Sequence, residues 1–335
     1  MTLTSLTPHG SDLQARSPQP NDNDSSASKL KFGILDPGLI SAGKTAAQTI
    51  DETLKSASLA DSLGYSRYWL TEHHQSAFAW ACPEILLTSL TQHTKQIRLG
   101  TAGILLYYYS PLKIAEIFRL LAVLYPQRID LGIARGYLAE DSAAVRALYG
   151  DVQPAQELRK DIYAQKVESL ITYLSNNFPL KHRYIKTISH LPQMWLLGTG
   201  RSNMNLAAAK GKAFSYSLCH GASRCNPDIL AEYRHNFQSS RMLSNPKCNV
   251  AVAVICAETE AKAKQQKLVF DQESRGTARV NVVGTLEQCK EQLLKIQHQY
   301  KVNEIILLSA SKTFEHRQLF YQMLAESFDL STLES

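Results

Sequence analysis

Short apolar runs alternate with amphipathic stretches along the chain from Lys31 onward. Eight of these runs are rich in apolar and β-branched residues, which predicts β-strands. Helical spacing is clear in two of the intervening stretches, Ala46–Leu63, which Gly64 would end, and Pro111–Leu124, where proline suits the first turn. The predicted strands are Lys31–Leu35, Arg67–Thr71, Ile97–Ala102, Arg128–Ala134, Gln193–Leu197, Ala213–Ser217, Asn249–Cys256 and Glu304–Leu308.

The alternation of strands with helices predicts a parallel sheet of the α/β class, and eight such units predict closure into a (β/α)8 TIM barrel. The connection after the fourth strand is long, because Gly150–Leu191 exceeds one helix and a turn. The connection after the seventh strand contains an additional segment, Val282–Gly284, and an amphipathic helix, Thr285–Gln297. We therefore expect insertions at these two places in a single barrel domain, residues 31–335.

Composition separates this domain from the first residues. Residues 1–28 are rich in Ser, Pro, Asp and Asn, and their leucines form no apolar face, so we expect a disordered tail over residues 1–30. The chain is 44% hydrophobic, which suffices for a sizeable core. Its net charge of +6 is dispersed, with no basic block of the kind that binds nucleic acid or membranes.

The sequence contains none of the patterns that mark membrane spans, signal peptides or zinc sites. No apolar run is long enough for a membrane span, and the first 30 residues lack the apolar centre of a signal peptide. The six cysteines form no Cys-x-x-Cys pair and no spacing typical of a disulfide framework or a zinc site. We therefore expect a cytoplasmic protein with reduced thiols, no metal site and no membrane partner.

The loop after the second strand carries the first candidate chemistry, since active sites of such barrels lie at the C-terminal ends of strands. It contains Glu72-His73-His74. Successive side chains of an extended segment point in opposite directions, so at most one of the two histidines faces a central pocket. A neutral imidazole there can act as a general base or a hydrogen-bond donor. The alternative is a polar pair that only caps the strand.

Two further strand ends carry groups suited to an anion. Gly198-Thr199-Gly200 follows the fifth strand and opens a helix, whose free N–H groups can bind phosphate, although an ordinary turn fits equally well. Arg135 follows the fourth strand and could pair with a phosphate, clamp a heterocycle or form a surface ion pair. Together with the histidines, these groups indicate a phosphorylated cofactor above the barrel.

Four motifs of this chain resemble those of the bacterial luciferase-like family of flavin-dependent monooxygenases, and they occur in the family's order across most of the sequence. The last of them reads Val-Gly-Thr-x-Glu-Gln-Cys. The motifs are Glu72-His73-His74, Gly100-Thr101-Ala102 with the helix that begins at Pro111, Gln127–Gly136, and Val283–Cys289. The resemblance implies a TIM barrel that binds flavin mononucleotide (FMN).

The resemblance also implies roles for individual residues. His73 matches the family's catalytic histidine, and Arg135 matches an arginine that helps to hold FMN. Other matched positions lie in two loops, one with an expected cis peptide bond beside the flavin ring and one at the flavin phosphate. These positions are Ala102 and Gly103 in the first loop and Gly198, Thr199 and Ser202 in the second.

The reaction implied by the resemblance is an oxygenation. Reduced FMN from a separate flavin reductase would react with O2 to give a C4a-peroxyflavin, which oxygenates an unidentified organic substrate while His73 handles a proton. The chain looks nearer to the short luciferase-like monooxygenases of natural-product pathways than to luciferase itself, because Ala134 replaces a cysteine and the segment from Cys256 to Val282 is short. Light emission is therefore not expected.

Two other functions remain open on the same barrel. One is a hydride-transfer oxidoreductase that uses the deazaflavin F420 and needs no oxygen. The other is a non-catalytic flavin-binding protein.

The substrate pocket and the quaternary structure follow from weaker patterns. Tyr107 and Tyr109 after the third strand, with Tyr137 after the fourth, are predicted to shape the pocket, although packing against the following helix suits the first two equally well. The family resemblance implies a homodimer, with Ala46–Leu63 and Cys82–Thr94 as candidate interface elements.

Overall fold

Ten parallel strands form one sheet in the computed structural model, which describes residues 29–136, 143–150, 159–175, 188–311 and 313–330. Eight of them close into a barrel, because the last strand pairs with both the first and the eighth. The other two are short additions. The strands are β1 Lys31–Asp36, β2 Arg67–Leu70, β3 Arg98–Thr101, β4 Ile104–Leu105, β5 Ile129–Ala134, β6 Gln193–Gly198, β7 Ala213–Ser217, β8 Cys248–Cys256, β9 Val282–Gly284 and β10 Glu304–Ser309.

Helices surround the barrel and bury their apolar faces against it. The structure confirms the predicted closed barrel and all eight predicted strands, whose ends differ from the prediction by one residue at most. The helices are α1 Ala46–Ser62, α2 Pro83–His93, α3 Pro111–Leu124, α4 Ala143–Tyr149, α5 Arg159–Leu174, α6 Arg201–Ala209, α7 Asp228–Asn236, α8 Glu260–Ser274, α9 Leu286–Tyr300 and α10 Phe314–Ser327. A 3-10 turn, Leu106–Tyr108, precedes α3.

The two insertions lie where the sequence places them. Helices α4 and α5 belong to the connection between β5 and β6, and β9 with α9 belongs to the connection between β8 and β10. Thr285 starts α9 with a capping box, in which its side chain accepts from the N–H of Gln288 while the Gln288 side chain accepts from the N–H of Thr285. The predicted tail lies largely outside the described residues, which begin at position 29.

Buried charges fill the N-terminal half of the barrel. The Arg67 guanidinium donates to Asp130 and, at 2.7 Å, to Glu304, while Arg98 pairs with Asp130 at 2.6 Å. Burial alone would raise the pKa of Asp130, but the charges of Arg67 and Arg98 outweigh it and lower the pKa. Trp69 and Trp195 pack edge to face above Arg67, with ring centroids 5.2 Å apart. This packing fills the barrel interior above the buried charges.

Candidate active site

The loop after β2 places the two adjacent histidines in different surroundings. The His73 ring stacks on Phe78, with centroids 4.1 Å apart, and burial followed by the nearby His74 lowers the pKa of His73 to about 4. His74 instead places its Nε2 atom 2.8 Å from Oε1 of Glu72. His73 is therefore a neutral imidazole at neutral pH, whereas His74 belongs to a polar cluster.

Glu72 is the centre of that cluster, and the sequence assigned no role to it. Its buried carboxylate accepts a hydrogen bond from the Tyr109 hydroxyl at 2.6 Å, in addition to its contact with His74. The other carboxylate oxygen accepts from the Leu105 N–H at 3.0 Å. Glu72 thus ties the end of β2 to the segment that follows β3. An acidic residue directly after the predicted strand Arg67–Thr71 is the sequence signal that could have revealed it.

The tyrosines predicted to shape the substrate pocket have separate environments. Tyr109 is bound to Glu72 beside the histidines. The Tyr107 ring is buried and stacks on Tyr149 of α4 at 5.1 Å, so it contributes to helix packing. Tyr137 lies outside the described residues.

A close approach of two strands shapes the next part of the site. A Cβ atom on Gly132 of β5 would lie 1.9 Å from the carbonyl oxygen of Thr101, so only glycine fits here. The Thr101 hydroxyl donates to the Gly132 carbonyl at 2.9 Å, which fixes the two strands side by side. The peptide bond between Ala102 and Gly103 is cis, at the position that the family resemblance implied.

The turn from β6 to α6 exposes the start of a helix. A Cβ atom on Gly198 would lie 2.9 Å from Cβ of Asn203, and the Asn203 side chain donates to the Leu197 carbonyl at 2.5 Å, which holds the turn tight. Gly200 precedes α6 and provides no capping side chain, so first-turn N–H groups remain available to an anion. Thr199 and Ser202 lie in this turn.

Arg135 of the loop after β5 reaches this same turn. Its Nη1 atom lies 3.3 Å from the Ser202 hydroxyl oxygen, which brings together two residues that are far apart in sequence. A neighbouring arginine, Arg201, is committed elsewhere because it forms a bidentate pair with Glu232 of α7, with contacts of 2.8 and 2.5 Å. Arg135 and Ser202 thus present a cationic group and a hydroxyl to the same turn, which is an arrangement suited to an anion.

A cavity of about 370 Å³ adjoins Arg135 and Ser202 between α5 and α6. It also contains Lys160, a second cation that sequence reasoning missed, because nothing in the local pattern of α5 distinguishes this lysine from others on the surface. The cavity is lined by Arg135, Lys160, Asp161, Tyr163, Ala164, Ser202, Asn203, Asn205 and Leu206.

An apolar platform lies at the C-terminal mouth of the barrel beside these polar groups. Four half-buried side chains from β1, the loop after β3, β6 and β10 pack against the interior cluster that contains Trp69 and Trp195. They are Leu35, Ala102, Leu197 and Leu308. A planar heterocycle with a phosphate tail fits this arrangement, since the platform can accept the ring and Arg135 with the start of α6 can accept the phosphate. Among the described residues, no cluster of histidine, cysteine and carboxylate groups is suited to a metal ion.

The closed barrel is the scaffold of TIM-barrel enzymes, whose active sites lie at the C-terminal ends of the strands. Residues 30–303 match the family model of the luciferase-like monooxygenases, and the chain belongs to that family.

Several relatives extend over nearly the same length as this chain. An uncharacterised protein of Bacillus subtilis, YwcH, is 32% identical over 337 residues, which cover 89% of this chain and 99% of YwcH. An N-acetyl-S-alkylcysteine monooxygenase of the same organism is 30% identical and covers 89% of this chain and 98% of its own. The crystal structure of apo-MsnO8 superposes with a TM-score of 0.81 at 30% identity, over 90% of this chain and 99% of that one.

No helix in the described part of this chain has the length and apolarity of a membrane span.

Proposed function

We propose that this protein is an FMN-dependent monooxygenase, which takes reduced FMN from a separate flavin reductase and uses O2 to oxygenate a small organic substrate. The observation that carries the proposal is the contact of 3.3 Å between Arg135 and Ser202 at the start of α6. A terminal phosphate carries a double negative charge and suits an arginine fork beside helix N–H groups. Lys160 lines the same cavity as a second cation, together with Asp161, whose charge is opposite.

The residues of this chain would divide the work between binding and positioning. Arg135, Ser202, Lys160 and the first N–H groups of α6 would bind the phosphate, and the apolar platform would support the flavin ring and exclude water from it. When bound and reduced, the flavin supplies the electrons with which O2 is activated. The difficult chemistry therefore belongs to the cofactor.

His73 is the proposed proton-handling residue. Its pKa of about 4 keeps the imidazole neutral at neutral pH, so one ring nitrogen can accept a proton while the other donates a hydrogen bond. Stacking on Phe78 fixes the plane of the ring, and this contact restricts the directions in which its nitrogens point.

The phosphate site is tested by comparing FMN with riboflavin, which has the same ring and no phosphate. Anaerobic titration of Arg135→Ala should show an FMN dissociation constant raised by about 10- to 100-fold, with little change for riboflavin. Arg201→Ala is the matched control, because Arg201 is paired with Glu232 and should leave both affinities unchanged. Equal losses for FMN and riboflavin in Arg135→Ala would contradict a phosphate role.

The reaction is tested with oxygen and isotopes. The protein, FMN, NADH and a flavin reductase should consume O2 and transfer one atom of 18O2 to a substrate. The first probe is an N-acetyl-S-alkylcysteine, because a relative that is 30% identical is named for oxygenating such compounds. Reduction or oxidation of a substrate with F420 in the absence of oxygen would replace this proposal with the hydride-transfer alternative. Flavin binding without either reaction would support the non-catalytic alternative.

We also propose that the chain forms a homodimer through α2 and α3. Ile85 of α2 is 68% exposed, and three residues spaced for one face of α3 are each more than half exposed, namely Leu120, Val123 and Leu124. None of the strongly exposed large apolar side chains in the described residues lies on α1. The predicted interface element Cys82–Thr94 is thereby favoured over Ala46–Leu63.

A further inference from the structure

Two cysteines at the rim of the barrel are neighbours in space, although 33 positions separate Cys256 from Cys289. Cys256 is the last residue of β8, and it pairs in register with Gly284 of β9. Helix α9 begins two residues after Gly284 and carries Cys289 in its first turn. The topology therefore places this turn over the end of β8.

Distances around the Cys289 sulfur confirm the proximity. Its Sγ atom lies 3.7 Å from the carbonyl oxygen of Gly284, the register partner of Cys256, and 3.7 Å from that of Ile255, the residue bonded to Cys256. The Cys289 thiol therefore lies against the last peptide of β8 and its register partner, next to Cys256. Both are reduced in the structure, with Cys256 half-buried and Cys289 buried.

The environments of the two sulfurs give them different chemistry. The neighbouring Cys289 thiol lowers the pKa of Cys256 and outweighs burial, which favours a thiolate on the less buried of the two cysteines. Interaction with Cys256, followed by burial, raises the pKa of Cys289. A half-exposed sulfur with thiolate character beside a second thiol is the arrangement found in peroxide-sensing proteins.

We propose that Cys256 and Cys289 are a peroxide-oxidised thiol pair that closes into an intramolecular disulfide. The Cys256 thiolate attacks one oxygen of hydrogen peroxide, which breaks the O–O bond, releases hydroxide and leaves a sulfenic acid on Cys256. The Cys289 sulfur then attacks the sulfenic sulfur, and its proton leaves with the hydroxyl group as water. The two cysteines lose two electrons, and peroxide is reduced to water.

The product links the first turn of α9 to the end of β8 and encloses α8 and β9 in a covalent loop. Such a loop restricts the unfolded chain, so the oxidised protein should unfold at a higher temperature than the reduced protein. Oxidation by added peroxide requires neither flavin binding nor the proposed oxygenation. A failure of the thiol pair to oxidise is therefore distinct from a failure of the proposed function.

The test is mass spectrometry of the full chain after treatment with hydrogen peroxide. After denaturation and alkylation, the wild type should contain two fewer alkylated thiols, and digestion should give one linked peptide containing Cys256 and Cys289 that dithiothreitol separates. Cys289→Ser should stop at a sulfenic acid on Cys256, which dimedone captures. Cys225→Ser is the matched control, because Cys225 lies at another site beside Arg279 and its loss should leave the linked peptide unchanged.

Two results would overturn the inference. One is a native protein that keeps both thiols alkylatable while peroxide oxidises other cysteines. The other is a link between Cys219 and Cys225 in place of the predicted one. Both results are read on the wild-type protein, so they do not depend on whether a variant folds.

Discussion

Burial sets the charge of His73 across most of the pH range in which proteins are stable. The pKa of this histidine is lowered from 6.5 to about 4, chiefly by burial and then by His74. We expect its NMR titration to have a midpoint near pH 4, with His73→Asn identifying the resonance. The variant should lose turnover while keeping its affinity for FMN. A midpoint near pH 6.5 would mean that the ring is solvated and that the proposed neutral role is wrong.

The same shift has a consequence for stability. Above pH 6.5 the imidazole is neutral in both folded and unfolded chains, so it has no effect on their balance. Between pH 6.5 and about 4 the unfolded chain binds a proton that the folded chain does not. The free energy of unfolding therefore decreases as the pH is lowered through this range. His73→Asn should remove this component of acid destabilisation.

Lys212 is a buried amine whose charge costs stability. Its Nζ atom lies 3.5 Å from the Ser240 hydroxyl oxygen and 3.3 Å from the Met242 sulfur, and burial lowers its pKa from 10.5 to about 8. Lys212→Met should raise the free energy of unfolding at pH 7 by about 1–3 kcal/mol, because it removes a poorly solvated charge. Urea unfolding measures this difference. Lys210→Met is the control, since Lys210 pairs with Glu168 at the surface.

The pH dependence gives a second check on Lys212. Below pH 8 the Lys212 amine is protonated in both the folded and the unfolded chain, so the full free-energy cost of burying its charge is present. Between pH 8 and 10.5 the folded chain releases its proton first, so the unfolded chain holds more protons and stability rises with pH. This rise should be absent from Lys212→Met. An unchanged pH profile in the variant would show that the amine is already solvated in the folded protein.

At the scale of elements, the sequence predicted the strands and helices, because these depend on the local pattern of apolar and polar residues. The strands were predictable because each is a short apolar run, and α9 was predictable from the amphipathic pattern of Thr285–Gln297. The structure adds a capping box at its start, formed by Thr285 and Gln288. The contact of Arg135 with Ser202 depends on barrel closure, which no local pattern describes. Likewise, Gly-x-Gly alone did not distinguish a turn from an anion site. The resemblance to a family suggested the phosphate loop, but it assigned no role to Glu72.

Glu72 joins two elements of the mouth, so its loss should affect both. Glu72→Gln keeps the size of the side chain but weakens the contacts of the carboxylate with Tyr109, His74 and the Leu105 N–H. We expect a loss of about 1–3 kcal/mol in the free energy of unfolding, measured by urea denaturation. Tyr109→Phe removes one of these hydrogen bonds and should cost less. A stability of Glu72→Gln equal to the wild type would mean that the carboxylate does not hold the segment after β3.

At the scale of the whole molecule, the exposed apolar side chains of α2 and α3 are the basis for proposing a dimer. A face with Leu120, Val123 and Leu124 in water is unfavourable, and a second copy related by a twofold axis would bury it against itself. Sedimentation velocity should show a dimer for the wild type. Leu120→Glu should shift the protein towards monomer by about tenfold or more in dissociation constant, because two carboxylates would be buried together.

A matched substitution on the other side of the barrel separates this effect from a general loss of stability. Leu268 of α8 is 65% exposed, close to the 59% of Leu120, so Leu268→Glu introduces the same charge at a similar exposure. We expect this variant to remain a dimer with wild-type FMN affinity. A wild type that sediments as a monomer at every concentration would refute the interface. A dimer that is disrupted by Leu268→Glu and not by Leu120→Glu would show that the interface lies on α8 and not on α3.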